Sequence, residues 1–149
     1  MQQISTQIDI RSVDIELHTI HFLEEMIFGE KRATEQRLKQ IRKQRGLLLI
    51  AFAGNTPVGF KVGYVNQNKQ TFFSWLGGVH PDFRRQGIAQ TLLDYQEGHV
   101  KSLGINKIYF TSFHRFPEMI NLGKKNGYLL TKAAKDDGEE KYWYEKQLT

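Results

Sequence analysis

The chain contains no cysteine and no apolar run long enough to span a bilayer. Without cysteine it can form no disulfide, and no cysteine can carry an acyl group as a covalent intermediate. The first residues, Met1 to Thr6, lack the basic and apolar regions of a signal peptide. We therefore expect a cytoplasmic protein that acts without a membrane.

Two common phosphate-binding motifs are also missing. The sequence has no Gly-x-x-x-x-Gly-Lys-Ser/Thr, and no Gly-x-Gly-x-x-Gly follows a strand pattern. These absences argue against a P-loop and against a dinucleotide-binding fold. His18 and His21 lie one helical turn apart, but no third metal ligand is near them in sequence. We expect these histidines to face solvent or to pack, and we expect no metal.

The composition is typical of one soluble globular domain. Of 149 residues, 40% are hydrophobic and 25% are charged, and the net charge is +5. Lysine and arginine are scattered among acidic residues, except in the run from Lys39 to Arg45. That run indicates a solvated helix face, so we expect no nucleic-acid partner. Part of the positive charge could attract an anionic cofactor.

Hydrophobic periodicity predicts the element order β-α-α-β-β-β-α-β-α-β-β. The first strand is predicted from the alternation of Ile4, Thr6, Ile8 and Ile10. The first two helices are predicted over Val13 to Phe28, with Ser12 as N-cap, and over Glu30 to Lys43. The remaining predicted elements are strands at Leu47–Phe52, Val58–Val65, Thr71–Val79, Ile105–Phe110, Gly127–Leu130 and from Lys141 onward, and helices at Ile88–Leu103 and Phe116–Lys125.

The most informative stretch runs from Gly77 to Ala89. It reads as a strand that ends, a short turn and a helix that begins at a glycine, and the turn carries Arg84-x-x-Gly87-x-Ala89. Small residues there allow backbone N–H groups to close around an anion. The following helix adds unsatisfied donors and its positive dipole end. A phosphate or pyrophosphate is the natural occupant of such a turn.

This stretch resembles the pyrophosphate-binding motif of the GNAT superfamily of N-acetyltransferases, written Gln/Arg-x-x-Gly-x-Gly/Ala. Val79-His80-Pro81 fits the same pattern, and Lys124 to Tyr128 is similar to the family's junction between its last helix and the next strand. The resemblance implies a GNAT-like single domain over residues 1–149. Its fold would be α/β (α+β), with a mixed central sheet splayed at the motif strand.

The resemblance implies an enzyme that moves an acetyl group from acetyl-coenzyme A directly to a primary amine, with no metal. It assigns the coenzyme's pyrophosphate to the motif turn and the pantetheine arm to the motif strand. The Val79 N–H would stabilise the thioester oxyanion. The Gly77-Gly78 pair indicates a bulge or a close backbone approach. The cofactor-binding residues so implied are Gly77, Val79, Arg84, Arg85, Gln86, Gly87, Ile88 and Ala89.

The sequence departs from the family pattern at both usual acid–base positions. The motif strand, Thr71 to Val79, contains no Glu or Asp to act as base, and the usual tyrosine four residues before the junction glycine is replaced by Gly123. His114, just after a predicted strand, is the candidate catalytic residue, because imidazole titrates in the useful range. A surface histidine is the alternative. The further candidates for proton relay are His80, Ser74 and Tyr109.

The acceptor is a small-molecule or protein amine that the sequence does not identify. Glu24, Glu25 and Glu30 cluster where the family selects its acceptor, and they form either a site for a cationic amine or a solvated acidic face. The resemblance also allows a homodimer. One alternative function is a non-catalytic acyl-coenzyme A binding or sensor module on the same fold. A basic nucleic-acid-binding domain is a third reading, which no recognised motif supports.

Overall fold

A computed structural model describes residues 7–148, which form seven strands and four helices. The strands are β1 Ile8–Val13, β2 Leu47–Ala53, β3 Thr56–Asn66, β4 Thr71–Val79, β5 Lys107–Phe113, β6 Leu129–Asp136 and β7 Glu139–Gln147. The helices are α1 Leu17–Phe28, α2 Glu35–Lys43, α3 Ile88–Ser102 and α4 Pro117–Lys125. The predicted element order is confirmed, with one added 3-10 turn at Pro81–Phe83.

All the strands belong to one mixed sheet in the order β1-β2-β3-β4-β5-β7-β6. Neighbouring strands are antiparallel except β4 and β5, which are parallel because α3 connects them. Helices α1 and α2 cover one face of the sheet, where they pack on residues such as Ile50 and Phe60. Helices α3 and α4 cover the other face and pack on residues such as Ile108 and Phe110. Among residues 7–148, no helix combines the length and apolar character needed to cross a bilayer.

The first helix begins later than its periodicity predicts. Ser12 is not an N-cap, because β1 continues through Val13 and pairs Ser12 with Leu49 of β2. The helix starts at Leu17 after Glu16, which makes no capping side-chain hydrogen bond. The predicted strand residues Ile4 and Thr6 lie outside the described residues, so the strand is observed from Ile8 onward.

The second helix is also shorter than predicted, since it begins at Glu35 after the N-cap Thr34. The chain just before it has no regular secondary structure and is bound by Glu24, a fully buried residue of α1. The Glu24 carboxylate accepts the backbone N–H of Arg32 at 3.0 Å and that of Ala33 at 3.1 Å. These two amides are therefore satisfied without a helix.

Candidate active site

Strands β4 and β5 separate well before β4 ends. They pair through Phe72 with Ile108 and through Phe73 with Tyr109, and within the described chain their pairing stops there. On its other side β4 stays paired with β3 as far as Val79. A wedge-shaped opening, which we call the splay, therefore lies between β4 and β5. The predicted splay of the sheet at the motif strand is confirmed.

The hydrogen-bonding direction of β4 decides which of its amides face the splay. The N–H of His80 donates to the Val58 carbonyl at 2.7 Å, so the amides of His80 and Gly78 point toward β3. Because hydrogen-bonded and non-hydrogen-bonded residues alternate along an antiparallel pair, the N–H and C=O groups of Gly77 and Val79 point into the splay. These are the two β4 residues expected to contact the pantetheine arm.

The residues from Arg84 to Ala89, here called the anion loop, follow directly after the 3-10 turn. Arg85 has a φ of 62° and Gly87 a φ of 79°, both left-handed. In the part of the chain that the structure describes, no backbone N–H from Arg85 to Gln90 has a protein partner. The first bond of the helix runs from the Thr91 N–H to the Gly87 carbonyl at 3.0 Å. This set of free donors at a helix N-terminus fits a phosphate group.

The side chains of the anion loop leave its backbone accessible. A Cβ on Gly87 would meet nothing within 4 Å, so the space above the helix start is open. The Nε of Arg84 donates to the Val79 carbonyl at 3.3 Å, which holds that guanidinium beside the splay. Arg85 and Gln86 are exposed, whereas Ile88 is buried against the sheet and Ala89 is half-buried. The loop thus offers cationic side chains and open amides on one surface.

The glycine pair of β4 is needed for close packing, but the strand's irregularity lies elsewhere. The register of β4 against β3 shifts at Trp75, since Val62 pairs with Leu76 and Gly63 with Ser74. The predicted bulge at Gly77-Gly78 is therefore wrong in position. A Cβ on Gly78 would lie 2.8 Å from Cγ2 of Ile27 in α1. Gly78 is therefore required by the packing of α1 on this strand, and a close approach of the coenzyme's backbone-like arm to the pair stays a prediction.

The structure explains why the tyrosine of the family pattern is absent at position 123. A Cβ on Gly123 of α4 would lie 2.6 Å from two ring atoms of Phe110. The aromatic ring of β5 therefore occupies the volume that a side chain at this position would need. The acid that the family usually draws from α4 is absent, and no substitution at Gly123 could restore it without moving Phe110.

His114 follows β5 and is exposed, but it is not isolated. Its Nε2 lies 2.7 Å from the Tyr142 hydroxyl, and that hydroxyl donates to Glu140 at 3.0 Å. Desolvation raises the pKa of the Tyr142 hydroxyl, and its hydrogen bond to the Glu140 carboxylate raises that pKa further. This chain of three groups can pass a proton between the end of β5 and solvent. It lies at the edge of the sheet to which the C-terminal ends of β4 and β5 both point.

The other candidates for proton relay have different surroundings. The Nδ1 of His80 accepts the Asp82 N–H at 3.0 Å, which makes this histidine the cap of the 3-10 turn. Ser74 is buried in β4. The ring of Tyr109 stacks on Phe73 with centroids 4.8 Å apart, at the closed end of the splay. None of these three residues belongs to the anion loop.

His21 and the acidic residues in and just after the first helix have structural partners, whereas His18 is exposed. The Nε2 of His21 lies 2.7 Å from the Ala33 carbonyl. Among residues 7–148, no cluster of three or more metal-ligating side chains is present. Glu24 holds the connection after α1, and Glu30 forms an ion pair with Arg32 at 2.8 Å. The acidic cluster is therefore largely neutralised by the chain itself.

Lys61 was not predicted from the sequence as a site residue. It lies in β3 opposite Gly77 and is only 4% exposed. Burial lowers the pKa of the Lys61 ammonium to about 8, although the negative charge of Glu97 opposes this shift. The signal was present, because this lysine interrupts an otherwise apolar and glycine-containing run from Val58 to Val65. A charge in such a run is unusual unless it is paired or functional.

A shallow cleft of about 440 Å³ opens away from the splay. Its lining includes Arg37 and Tyr64, and the Tyr64 hydroxyl accepts a hydrogen bond from Arg37. Burial raises the pKa of Tyr64 while the Arg37 charge opposes this. Because Tyr64 pairs with Phe73, the cleft lies beside the part of β4 that is still joined to β5. It is thus separate from the anion loop.

The sequence matches the model of the acetyltransferase (GNAT) family over residues 15–128. This match covers most of the chain and includes β4, the anion loop and α3, so the protein belongs to the GNAT acetyltransferase family. No curated protein matches the chain significantly.

Many solved structures share this fold. The ribosomal-protein-S18-alanine N-acetyltransferase of Escherichia coli superposes with a TM-score of 0.80 at 16% identity, covering 96% of this chain and 95% of that chain. A GNAT acetyltransferase of Elizabethkingia anophelis with acetyl-CoA bound gives 0.73 at 17% identity, covering 95% and 98%. A Bacillus subtilis acetyltransferase in complex with CoA gives 0.74 at 14% identity, covering 96% and 100%. At these identities the likeness establishes the fold.

Proposed function

We propose that this chain is an N-acetyltransferase, one domain over residues 1–149, that moves an acetyl group from acetyl-coenzyme A directly to a primary amine. The observation that carries the proposal is the splay, whose β4 edge presents the free amides of Gly77 and Val79 and leads into the anion loop. Coenzyme A carries a peptide-like pantetheine arm joined to a pyrophosphate. The arm matches the β4 edge of the splay, and the pyrophosphate matches the anion loop that follows it. Solved relatives with CoA or acetyl-CoA bound support the same co-substrate.

Each part of the site has a proposed role. The backbone amides of Arg85, Gln86, Gly87, Ile88 and Ala89 bind the pyrophosphate, and Arg84 and Arg85 add positive charge. The amides of Gly77 and Val79 hold the pantetheine arm, and the Val79 N–H stabilises the oxyanion at the thioester carbon. His114 takes the proton that the acceptor amine must lose. The reaction needs no metal and no covalent enzyme intermediate.

The acceptor is proposed to be a small-molecule or protein amine, and the protein to work in the cytoplasm without nucleic acid or membrane, as a monomer or homodimer. One relative of the same fold is named for its action on a ribosomal-protein alanine, which supports testing protein amines beside small ones. The ion-paired residues Glu25 and Glu30 do not favour a polycation over other amines.

A non-catalytic acyl-coenzyme A binding module is the second candidate. The specific observation that favours it is the loss of both usual acid–base side chains, because β4 has no carboxylate and Phe110 fills the space beside Gly123. Such a module would use the same splay and anion loop but would have no need of an acceptor amine or a proton path.

Two measurements test the proposal. Acetyl-coenzyme A at a hundredfold excess over its dissociation constant should stabilise the fold by about 2.7 kcal/mol, which is read as a rise in melting temperature. Incubation with a panel of amines, followed by thiol detection and product mass, should then give a gain of one acetyl group on an amine. Stabilisation without thiol release from any amine would favour the binding module, and the absence of stabilisation would contradict both candidates.

A further inference from the structure

Lys61 is a charged residue at a buried position of β3. None of the hydrogen bonds or ion pairs among residues 7–148 involves its ammonium, although the residue is 4% exposed. A positive charge on a residue that is buried to this extent is costly unless a nearby group or a ligand stabilises it, so the position of Lys61 needs a chemical explanation.

The head of Lys61 lies across Gly77. These residues form a non-hydrogen-bonded pair, in which the side-chain positions approach most closely. A Cβ on Gly77 would lie 3.4 Å from Lys61 Cγ and 3.5 Å from its Nζ, which are contact distances, so the ammonium lies directly beside Gly77. Because the Gly77 amide points into the splay, the ammonium lies beside the place proposed for the end of the pantetheine arm.

The face of the sheet on which Lys61 lies is the one that α3 covers. Gly59, two residues earlier in β3, is on the same face, and a Cβ there would lie 3.3 Å from Ile88 Cγ2. The charged group acting on Lys61 from α3 is Glu97, whose carboxylate accepts from the Tyr128 hydroxyl at 2.9 Å and from Lys146 Nζ at 2.8 Å. These partners hold Glu97 in place, so it attracts Lys61 without contacting it.

Resting on the proposed function, we propose that Lys61 is the acid that protonates the sulfur of coenzyme A as it leaves. The acceptor nitrogen forms a bond to the acetyl carbon, and the carbon–sulfur bond breaks with its electron pair going to sulfur. The Lys61 ammonium gives a proton to that sulfur. The acceptor nitrogen loses a proton to His114 or water, and neutral Lys61 regains one from water, so the sum is an amide and a free thiol.

Two features of the chain fit this role. The ammonium of Lys61 lies within contact distance of the Cβ position of Gly77 on β4, and the position that supplies an acid in the family pattern is closed at Gly123 by Phe110. The lowered pKa of Lys61, about 8, means that the group is protonated near neutral pH yet gives up its proton at modest cost. An acid of this kind is matched to a thiolate of similar basicity.

The first test locates the ammonium without requiring turnover. Lysine side-chain NMR of the protein, with the Lys61 signal assigned by its loss in Lys61→Arg, should show a titration midpoint near 8. Coenzyme A should move this midpoint further than dethio-coenzyme A, which lacks only the sulfur. Equal shifts with the two compounds, or no shift with either bound, would overturn the placement of Lys61 at the sulfur.

The second test follows acetyl transfer against pH. In the wild type, kcat should fall above pH 8 as Lys61 loses its proton. Lys61→Met should lower kcat by about 10²-fold and remove that limb, while the dissociation constant for coenzyme A changes little. Lys61→Arg keeps the charge but holds its proton, so it should also lack the limb. The control Lys107→Met removes one exposed positive charge of β5 and should leave both the rate and its pH profile unchanged.

The two tests fail in different ways. An unchanged kcat and pH limb in Lys61→Met, in a protein that does acetylate an amine, would overturn the acid role and leave the proposed function standing. Absence of acetyl transfer from the wild type would instead overturn the proposed function. The sulfur-dependent NMR shift would then still decide where Lys61 lies relative to the coenzyme.

Discussion

The Lys61 ammonium weakens the folded state at neutral pH. Its pKa in the fold is about 8, below the ordinary value of 10.5 that holds in the unfolded chain. Between these pH values the unfolded chain binds more protons at this site than the folded chain, so the site's contribution to stability rises with pH. Below pH 8 the full penalty applies, and its size is about 3 kcal/mol.

Lys61→Met should therefore stabilise the protein while it impairs the proposed chemistry. We expect a gain of about 3 kcal/mol in the free energy of unfolding at pH 7, shrinking as the pH rises from 8 to 10.5. Urea denaturation of wild type and variant across this pH range measures the difference, with Lys107→Met as the surface control. A gain that stays constant with pH would contradict the lowered pKa of Lys61.

His114→Ala should lower turnover and leave coenzyme affinity nearly unchanged. If the imidazole takes the acceptor's proton, its loss should cost on the order of 10²–10⁴ in kcat. His18→Ala removes another exposed histidine from α1 and is the matched control. Steady-state kinetics and calorimetry separate rate from affinity. A rate in His114→Ala equal to that of the wild type from pH 6 to 9 would remove this residue from the mechanism.

Some site residues were predictable from sequence because local backbone rules determine them. Gly87 and Gly104 both adopt positive φ, so the two ends of α3 could be located from glycine positions alone. The surroundings of Lys61 and Glu24 consist of residues that are distant in sequence and that only the fold brings near them. The sequence marks Lys61 as unusual, but only the pairing with Gly77 shows what it faces.

At the scale of elements, α3 contains a natural comparison of two glycines. Gly87 precedes the helix with a φ of 79°, whereas Gly98 lies inside it, and a Cβ on either would meet nothing within 4 Å. Gly87→Ala should destabilise the protein by about 1–2 kcal/mol through left-handed strain and weaken acetyl-coenzyme A binding. Gly98→Ala should stabilise the helix by about 0.5–1 kcal/mol without affecting binding.

Thermal denaturation and calorimetry of both variants check this comparison. Because the same methyl group is added just before α3 in one variant and within α3 in the other, any loss of affinity confined to Gly87→Ala is due to the anion loop. Equal affinity in the two variants would show that the helix start does not bind the coenzyme.

The predicted element boundaries were wrong where strand pairing or a side chain distant in sequence determined the structure in place of the local residue pattern. Ser12 has the chemistry of an N-cap, but its pairing with Leu49 keeps it in β1. Helix α2 starts later than predicted because the Glu24 carboxylate accepts hydrogen bonds from the backbone amides of Arg32 and Ala33. Thr34 is the actual cap, accepting the Arg37 N–H at 3.1 Å, and a threonine before a polar helix is a signal that the sequence does offer.

At the scale of the whole molecule, the net charge of +5 should speed and strengthen binding of an anionic coenzyme. We expect the dissociation constant of acetyl-coenzyme A to rise with salt concentration. Arg85→Gln should weaken binding roughly tenfold and reduce this salt dependence, because Arg85 lies in the anion loop. Lys39→Gln, which removes an equal charge from α2, should change neither by a comparable amount. Calorimetry at two salt concentrations distinguishes local from overall charge.

The order of elements and the sheet's splay were predictable because the predicted element order resembles that of a known family nearly end to end. The position of the irregularity in β4 was not. A glycine pair is a good signal for a bulge, yet Ile27 of α1 approaches Gly78 closely and Lys61 covers Gly77 on the other face, while the register shifts at Trp75. The two glycines allow Ile27 and Lys61 to pack closely on the two faces of β4.

The alternating direction of the β4 amides has a consequence for hydrogen exchange. In the free protein the amide hydrogen of Gly78, which points toward β3, should exchange slowly with solvent deuterium. Its neighbours Gly77 and Val79 should exchange fast, even though Val79 is only 8% exposed. A bound pantetheine arm would cover this edge in the manner of an added strand. Only the two fast amides should then become protected.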